Sequence, residues 1–213
     1  MAGKIKTREK ILRTALALFN AEGEAQVSTV DIAAVMEISP GNLYYHFRGK
    51  EAIIEALFDD FEREIRQVLS APIQHPLAIE DNWIFVYIVF EEINDFRFFY
   101  YGLASILERC PGLRSRMTRL LKLKRETANA TLKTLVNEGL IEFSPGEQEA
   151  LAARLAAHLT FWLQYRDLTA PSKNDRKTIN DGVYTTMMQI VPYVTGDRAV
   201  YANMLREYFT AQK

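Results

Sequence analysis

The residues whose types and spacing most clearly suggest chemistry lie between positions 39 and 46, where small, hydrogen-bonding and aromatic side chains occur with almost no charge. A side chain recognises a DNA base only if it brings a donor, an acceptor or a small apolar surface to the groove edge. We predict that such contacts are made by the leading end of a short helix and one residue further along: Ser39, Pro40, Gly41, Asn42 and Tyr45. Asn42 offers both a donor and an acceptor, which suits pairing with adenine. The segment therefore predicts recognition in a DNA major groove.

A second set of residues is expected to orient that helix on the phosphate backbone rather than to read bases. Tyr44 and His46 can each donate a hydrogen bond to a phosphate oxygen. Lys50 adds a cation beside the positive end of the following helix, and Thr29 adds a hydroxyl and a backbone N–H. Lys6 extends this set as part of a basic amino-terminal arm. The alternative is that the tyrosines and the histidine are ordinary surface residues of a small helical bundle.

Three short helices must position these side chains. Apolar residues at spacings of three and four predict the first helix over 7–22, with Thr7 as its cap. Ser28 or Thr29 caps the second helix. A turn of three residues leads to the third helix, which carries Pro40 in its first turn, where the missing N–H costs nothing. The spacing thus predicts a helix-turn-helix domain.

The remainder of the chain also predicts helices only, so the expected fold class is all-α. A long fourth helix over 50–69 links a DNA-binding domain, residues 1–50, to a larger domain, residues 70–213. A break at 71–76 marks the boundary. Six further helices are predicted over 77–94, 97–109, 112–138, 147–169, 175–194 and 197–211.

Composition narrows the function classes. The 213 residues carry a formal net charge of −1, which argues against indiscriminate binding to nucleic acid. The single cysteine, Cys110, excludes an internal disulfide, and the most apolar run, 83–90, is too short to cross a bilayer, so we expect a cytoplasmic protein. No glycine-rich phosphate loop, GxSxG elbow or HExxH pair is present. We therefore expect neither an enzyme nor a bound cofactor.

Residues 7–61, and above all ISPGNLYYHFRGKEAIIEALF, resemble the amino-terminal domain of the TetR family of transcriptional regulators. The order of the helices, the small residues before LYYHF and the lysine that opens the next helix carry the resemblance. It implies a helix-turn-helix domain followed by a larger helical domain for ligand binding and dimerisation. It also implies the base and phosphate roles given above for nine of the ten named residues, all except Lys6. In such regulators a ligand moves the fourth helix and changes the distance between the two reading heads.

The second half is more weakly similar to family members that control polyhydroxyalkanoate genes, through NW-x-F and an RFFYYGLASILERCPGL-like stretch. That similarity implies an acyl-type effector. Aromatic and histidine side chains at helical spacing are predicted to form a pocket for a fatty-acyl or aromatic ligand, although such stripes are more often core. The predicted pocket residues are Trp83, Tyr87, Phe90, Phe99, Tyr101, His158, Trp162 and Tyr165.

A run of basic residues over 107–125 has two interpretations. The first is a solvated helix face, and the second is that one or two of its cations meet an anionic effector such as an acyl-CoA head group. No spacing singles out which cations those would be.

The chain is accordingly predicted to be a homodimeric repressor of a pseudo-palindromic operator, which a small apolar or acyl-type molecule releases. Helix 147–169 is apolar on more than one side, so we expect it to form a four-helix dimer interface with 175–194. The alternative is a helical protein-interaction module without sequence-specific DNA binding. The operator, the effector, the regulated genes and the sign of regulation stay open.

Overall fold

The computed structural model describes residues 6–75, 82–171 and 175–210. Over these residues the regular structure is helical, and no β-strand forms apart from one isolated antiparallel bridge between Ile141 and Val194. The helices are α1 (Thr7–Glu22), α2 (Thr29–Val35), α3 (Pro40–His46), α4 (Lys50–Gln74), α5 (Asn82–Asp95), α6 (Arg97–Tyr101), α7 (Leu103–Arg109), α8 (Gly112–Asn137), α9 (Glu147–Thr169), α10 (Asp175–Met188) and α11 (Arg198–Thr210). The all-α prediction is confirmed. In the described ranges no helix is long and apolar enough to cross a membrane.

The chain forms two compact units. Unit 1 contains the described residues of 1–63 and 95–116, and unit 2 contains those of 64–94 and 117–213. Helices α4 and α8 each supply residues to both units. Unit 1 therefore combines the three amino-terminal helices with α6 and α7, which come much later in the sequence.

Two helix ends near the amino-terminal domain differ from the sequence predictions. The N-cap of α1 is Lys6, which makes no side-chain capping bond, so the expected cap at Thr7 is wrong. Helix α4 continues past Pro72, whereas the sequence predicted that it would end before this residue. Proline removes one helical N–H bond, but His75 N still donates to Ala71 O at 2.9 Å, which keeps the chain on a helical path beyond it.

Two helices in the second half are shorter than predicted. The helix expected over 97–109 is broken at Gly102 into α6 and α7. The helix expected over 175–194 ends earlier, and a 3-10 turn follows at Val191–Tyr193. The predicted helix start at 77–81 lies outside the described residues.

The centre of unit 1 is a cluster of phenylalanine rings from α4, from α6 and from Phe96, the N-cap of α6. In the contacting ring pairs of this cluster, the centroids lie between 4.0 and 6.4 Å apart. The rings belong to Phe58, Phe61, Phe96, Phe98 and Phe99. Each of the five side chains is at most 5% exposed. Such pairs add stabilisation beyond the area they bury. Phe99, which the sequence predicted as a ligand contact, belongs to this core.

Helix α1 is fixed to the beginning of α6 by one side chain. Asn20 Nδ2 donates to Asp95 O at 2.7 Å, and Asn20 Oδ1 accepts from Phe98 N at 3.2 Å. Phe19 packs against Phe98 with ring centroids 5.2 Å apart. These contacts hold the amino-terminal helices to the phenylalanine core of unit 1.

In unit 2, helices α5, α9 and α10 meet at a glycine. A Cβ at Gly182 would lie 2.8 Å from both Phe90 Cε1 and Trp162 Nε1, so only glycine leaves room for these rings. Trp162 Nε1 donates to Thr178 O at 3.3 Å. The His158 ring lies 5.0 Å from the Trp162 ring, and burial lowers the pKa of His158. Three predicted pocket residues therefore pack into helix contacts.

Candidate functional site

The two helices of the predicted reading motif each begin at a serine cap. Ser28 Oγ accepts from Asp31 N at 3.2 Å, while Ser28 N donates to Asp31 Oδ2 at 2.8 Å, which completes a capping box. The hydrogen bonds from the Ser28 side chain and backbone lower the pKa of Asp31. Ser39 Oγ accepts from Asn42 N at 3.2 Å at the start of α3, with Pro40 in the first turn. These caps explain why so short a segment forms two helices.

The turn between α2 and α3 requires a left-handed residue. Glu37 has a φ of 53°, a conformation that non-glycine residues seldom adopt. Ile38 N then donates to Ala33 O at 3.0 Å, which closes the turn. The turn predicted over 37–39 is confirmed.

Helix α3 buries one face and exposes the other. Leu43 and Phe47 are 2% and 4% exposed, and the Arg8 guanidinium lies 4.9 Å above the Phe47 ring. On the outer face Tyr45 is 84% exposed and Tyr44 is 61% exposed. The five residues predicted to read bases are all exposed to solvent: Ser39, Pro40, Gly41, Asn42 and Tyr45.

Several of the predicted phosphate-contacting residues lie close to this outer face. Thr29 and Tyr44 line one shallow depression together with Pro40 and Gly41. The His46 ring lies 5.2 Å from the Tyr45 ring in an edge-to-face arrangement. The structure therefore brings the N-terminus of α2 and the exposed face of α3 to one surface, which we call the reading surface.

Lys50 has internal partners that the sequence did not predict. Its ammonium group donates to Glu24 O at 2.8 Å and Val27 O at 3.0 Å and pairs with Glu24 Oε1 at 2.9 Å. Arg109 from α7 pairs with the other oxygen of the same buried carboxylate and with Glu51 at 3.3 Å. The Glu24 hydrogen bond raises the pKa of Arg109. A phosphate contact by Lys50 stays a prediction, and it would have to share the ammonium group with Glu24.

Unit 2 contains a cavity of about 190 Å³. Most of the side chains around it are aliphatic or aromatic, and they come from α4, α5, α8, α9, α10, α11 and two connecting segments. The lining residues are Leu69, Asn82, Phe85, Val86, Lys124, Thr127, Ala128, Thr131, Leu132, Leu135, Leu140, Ile141, Leu155, Leu159, Thr186, Met187, Ile190, Val194 and Tyr201. We call this space the α8 cavity, because α8 supplies more of its wall than any other helix.

None of the eight predicted pocket residues lines the α8 cavity. On α5 the wall is formed by Asn82, Phe85 and Val86, whereas Trp83 and Tyr87 lie on the neighbouring face. The other predicted residues occupy cores or open surface: Phe90, Phe99 and Trp162 are buried in helix contacts, His158 adjoins Trp162, and Tyr101 and Tyr165 are 44% and 60% exposed. Trp162 and Tyr165 instead line a more open depression formed by α9 and α10, and ligand contact by the eight residues stays a prediction.

Lys124 is the charged residue among the described residues that line the α8 cavity. It is 1% exposed, and burial lowers the pKa of its ammonium group to about 7. Its Nζ reaches Thr160 Oγ1 at 3.2 Å and Leu159 O at 3.4 Å, both on α9. The sequence placed Lys124 in a basic run without singling it out. A signal was present, because Lys124 falls in the apolar stripe that contains Leu120 and Leu132, four and eight residues away.

Helix α9 exposes apolar side chains along one stripe. Phe161, Tyr165 and Leu168, at spacings of four and three, are 51%, 60% and 85% exposed. Exposed apolar stripes of this kind occur at interaction surfaces. It lies on one of the two helices for which the sequence predicted dimerisation.

Known proteins match both parts of the chain. The family model described as "Bacterial regulatory proteins, tetR family" matches residues 11–57, and the model described as "Bacterial transcriptional repressor" (TetR) matches residues 60–200. A TetR-family transcriptional regulator from Marinobacter aquaeolei VT8 is 31% identical, with a TM-score of 0.85, over 96% of this chain and 99% of that one.

Two more distant relatives are informative. The HTH-type transcriptional regulator UidR of Escherichia coli is 29% identical over 161 residues, which are 73% of this chain and 78% of UidR. The ketosteroid transcriptional regulator KstR2 of Mycobacterium tuberculosis is 18% identical, with a TM-score of 0.65, over 92% of this chain and 99% of KstR2. The first is a sequence relative, and the second shows that the fold is shared.

Proposed function

Because the chain belongs to the TetR family of bacterial transcriptional regulators, we propose that it is a repressor that binds a pseudo-palindromic operator as a homodimer and is released by a small apolar or acyl-type effector. The observation that carries the DNA-binding part is the reading surface. It presents five exposed residues without a single charged side chain among them, at the end of a short helix capped by Ser39. We place its action in the cytoplasm, where the bacterial chromosome lies.

Direct base contacts are assigned to Ser39, Pro40, Gly41, Asn42 and Tyr45. Asn42 and Tyr45 both project from the exposed face of α3, and that face is opposite the buried Leu43. A helix of this type enters the major groove with its N-terminal residues against base edges. Asn42 is therefore the residue from which we expect the largest contribution to sequence preference.

Phosphate contacts are assigned to Lys6, Thr29, Tyr44, His46 and Lys50. Thr29 and Tyr44 share a depression beside the N-terminus of α2, where backbone N–H groups favour an anion. With a net charge of −1 on the chain, these local donors rather than a general positive field must hold the DNA. We therefore expect a salt dependence set by a few phosphate contacts per protomer.

The test of DNA recognition is selection of bound duplexes from a random pool, followed by anisotropy titrations on the selected site and on a scrambled site. Asn42→Ala should lose about 1–3 kcal/mol on the selected site and little on the scrambled one. Asn137→Ala removes an exposed asparagine at the end of α8 and serves as the matched control. Equal affinity of the parent protein for both duplexes would contradict the proposal and favour an interaction module without DNA specificity.

The homodimer is assigned to α9 and α10, the helices predicted over 147–169 and 175–194. The exposed stripe of Phe161, Tyr165 and Leu168 supports this assignment, because a second copy of the chain would cover it. Leu168→Glu should shift sedimentation towards the monomer at micromolar concentration. Val35→Glu, which adds the same charge at a 61% exposed valine of α2, should leave the dimer intact. A stable monomer in the parent protein would refute the assignment.

The effector site is assigned to the α8 cavity, because it is enclosed mostly by apolar residues of the larger unit. An apolar cavity of about 150 Å³ is large enough to bind benzene. At about 190 Å³, the α8 cavity suits a molecule of roughly six to ten non-hydrogen atoms. Release of the selected duplex by such molecules, measured by anisotropy, tests the assignment.

A further inference from the structure

The α8 cavity has one polar end and one aliphatic end. Lys124 and Leu135 both belong to its wall and are eleven residues apart on α8, which corresponds to about 16 Å along the helix axis. Near Leu135 the wall also takes Leu140, whose N–H donates to Leu135 O at 3.0 Å, and Ile141, which forms a backbone bridge with Val194. A molecule lying along α8 would thus meet hydrocarbon at one end and an ammonium group at the other.

At the polar end, the described wall residues carry charge of one sign only. Among the described residues that line the cavity, Lys124 supplies a cation and no aspartate or glutamate is present. Two hydroxyls of the wall already donate to backbone carbonyls: Thr127 Oγ1 lies 2.6 Å from Leu69 O, and Thr186 Oγ1 lies 2.8 Å from Gly182 O. Thr131 Oγ1 is buried without a hydrogen-bond partner among the described residues and could also meet a ligand. Lys124 is the charged donor of the described wall, and hydrogen bonds from charged groups are the stronger ones.

We propose that the ligand of the α8 cavity is a small amphipathic monocarboxylic acid, whose carboxylate accepts hydrogen bonds from the Lys124 ammonium group while its hydrocarbon part lies along α8 towards Leu135. The proposal rests on the proposed function, since it names the chemical class of the effector. It also bears on the two interpretations of the basic run, because it assigns the anion contact to Lys124, the one buried cation of that run.

Electrostatics favour an anion over a neutral or cationic ligand. Burial lowers the pKa of Lys124 to about 7, which means that the apolar surroundings disfavour the ammonium form. A carboxylate at hydrogen-bonding distance supplies the opposite charge and favours that form. Tyr201 is the other titratable residue in the described wall, and burial raises its pKa, so it stays neutral near pH 7.

Binding of three probes with one chain length tests the proposal. Octanoate, 1-octanol and octylamine would be titrated calorimetrically into the full-length dimer at pH 7. Octanoate is expected to bind about 10- to 100-fold more tightly than 1-octanol, and octylamine most weakly, because a hydrogen bond between charged groups is worth about 1.5–3 kcal/mol. Hexanoate and decanoate would bracket the chain length that the cavity accepts.

The decisive variant is Lys124→Met, which keeps an unbranched side chain of similar length and removes the charge. The variant should lose the preference for octanoate over 1-octanol. Its affinity for 1-octanol should be unchanged, and that result would show that the cavity is intact. Lys122→Met changes an exposed lysine of the same helix and should keep the preference. Octanoate binding no tighter than that of 1-octanol, octanoate that does not saturate up to millimolar concentration, or a preference unchanged in Lys124→Met would each overturn the proposal.

The selected duplex separates this proposal from the proposed function. If the protein binds the duplex and 1-octanol releases it as well as octanoate does, the regulator function stands and the role of Lys124 is wrong. If octanoate binds in a Lys124-dependent manner but no duplex is selected, the ligand class stands and the regulator function is wrong.

Discussion

Replacing Lys124 by methionine should raise the free energy of unfolding at pH 7, and the gain should shrink as the pH rises. Lys124 is 1% exposed in an apolar wall, and burial lowers its pKa from 10.5 to about 7. In the unfolded chain the same lysine holds its proton up to about pH 10.5. Between these two values the unfolded state binds more protons than the folded state, so a higher pH stabilises the folded state of the parent protein.

The size of the effect follows from the two pKa values. At pH 7 the lowered pKa reduces the free energy of unfolding by about 4 kcal/mol, compared with a lysine whose pKa is the same in both states. At pH 9 the reduction is about 2 kcal/mol. Methionine does not titrate and fills a similar volume. The stability difference between Lys124→Met and the parent protein should therefore fall by about 2 kcal/mol between pH 7 and pH 9.

Urea denaturation followed by circular dichroism at pH 7, 8 and 9 measures this difference. Parent and variant must be compared at one protein concentration, because dimerisation contributes to apparent stability. Lys122→Met, at an exposed position two residues away, should show a difference near zero and no trend with pH. A Lys124→Met gain that is constant across the three pH values, or a variant less stable than the parent at pH 7, would refute the reasoning about burial of this ammonium group.

Three other substitutions test the packing. Gly182→Ala would bring a Cβ to 2.8 Å from two aromatic rings and should cost about 1–3 kcal/mol in urea denaturation, whereas Gly112→Ala meets open space and should cost nothing. Ala128→Leu fills part of the α8 cavity and should weaken octanoate binding at least about tenfold, as measured by calorimetry. The control Ala130→Leu lies outside the cavity wall and should leave octanoate affinity unchanged. Glu24→Gln leaves two cations beside a neutral amide and should lower the free energy of unfolding by about 2 kcal/mol. A urea denaturation curve for Gly182→Ala or Glu24→Gln that matches that of the parent protein would contradict these assignments. Unchanged affinity for octanoate in Ala128→Leu would do the same.

The reading surface was predictable because its determinants are local in sequence. Ser28 and Ser39 cap the helices that follow them, and Pro40 fits the first turn of α3. Leu43 and Phe47, four residues apart, define the buried face and thereby the exposed one. None of these effects depends on residues far along the chain, so the pattern alone was sufficient.

The α8 cavity was not predictable for the opposite reason. Its wall takes side chains from six helices and two connecting segments, and which face of α5 it uses is decided by tertiary packing. The sequence favoured Trp83 and Tyr87 because aromatic rings suit a pocket, yet the wall uses Phe85 and Val86. In the same way, Phe99 belongs to a core whose other members come from α4, from α6 and from the residue before α6. Residue type alone cannot distinguish a core stripe from a cavity wall.

Two lysines show why a count of cations does not locate the binding sites of this protein. Lys50 was the cation expected at the DNA, but its ammonium group already pairs with the buried carboxylate of Glu24. Lys124 was one member of a basic run, but it is buried in the wall of an apolar cavity. A DNA phosphate must compete with Glu24 for Lys50, whereas a carboxylate at Lys124 favours the charged form that burial disfavours. The reading surface should therefore depend mainly on uncharged donors such as Asn42, and the ligand site on a single charge.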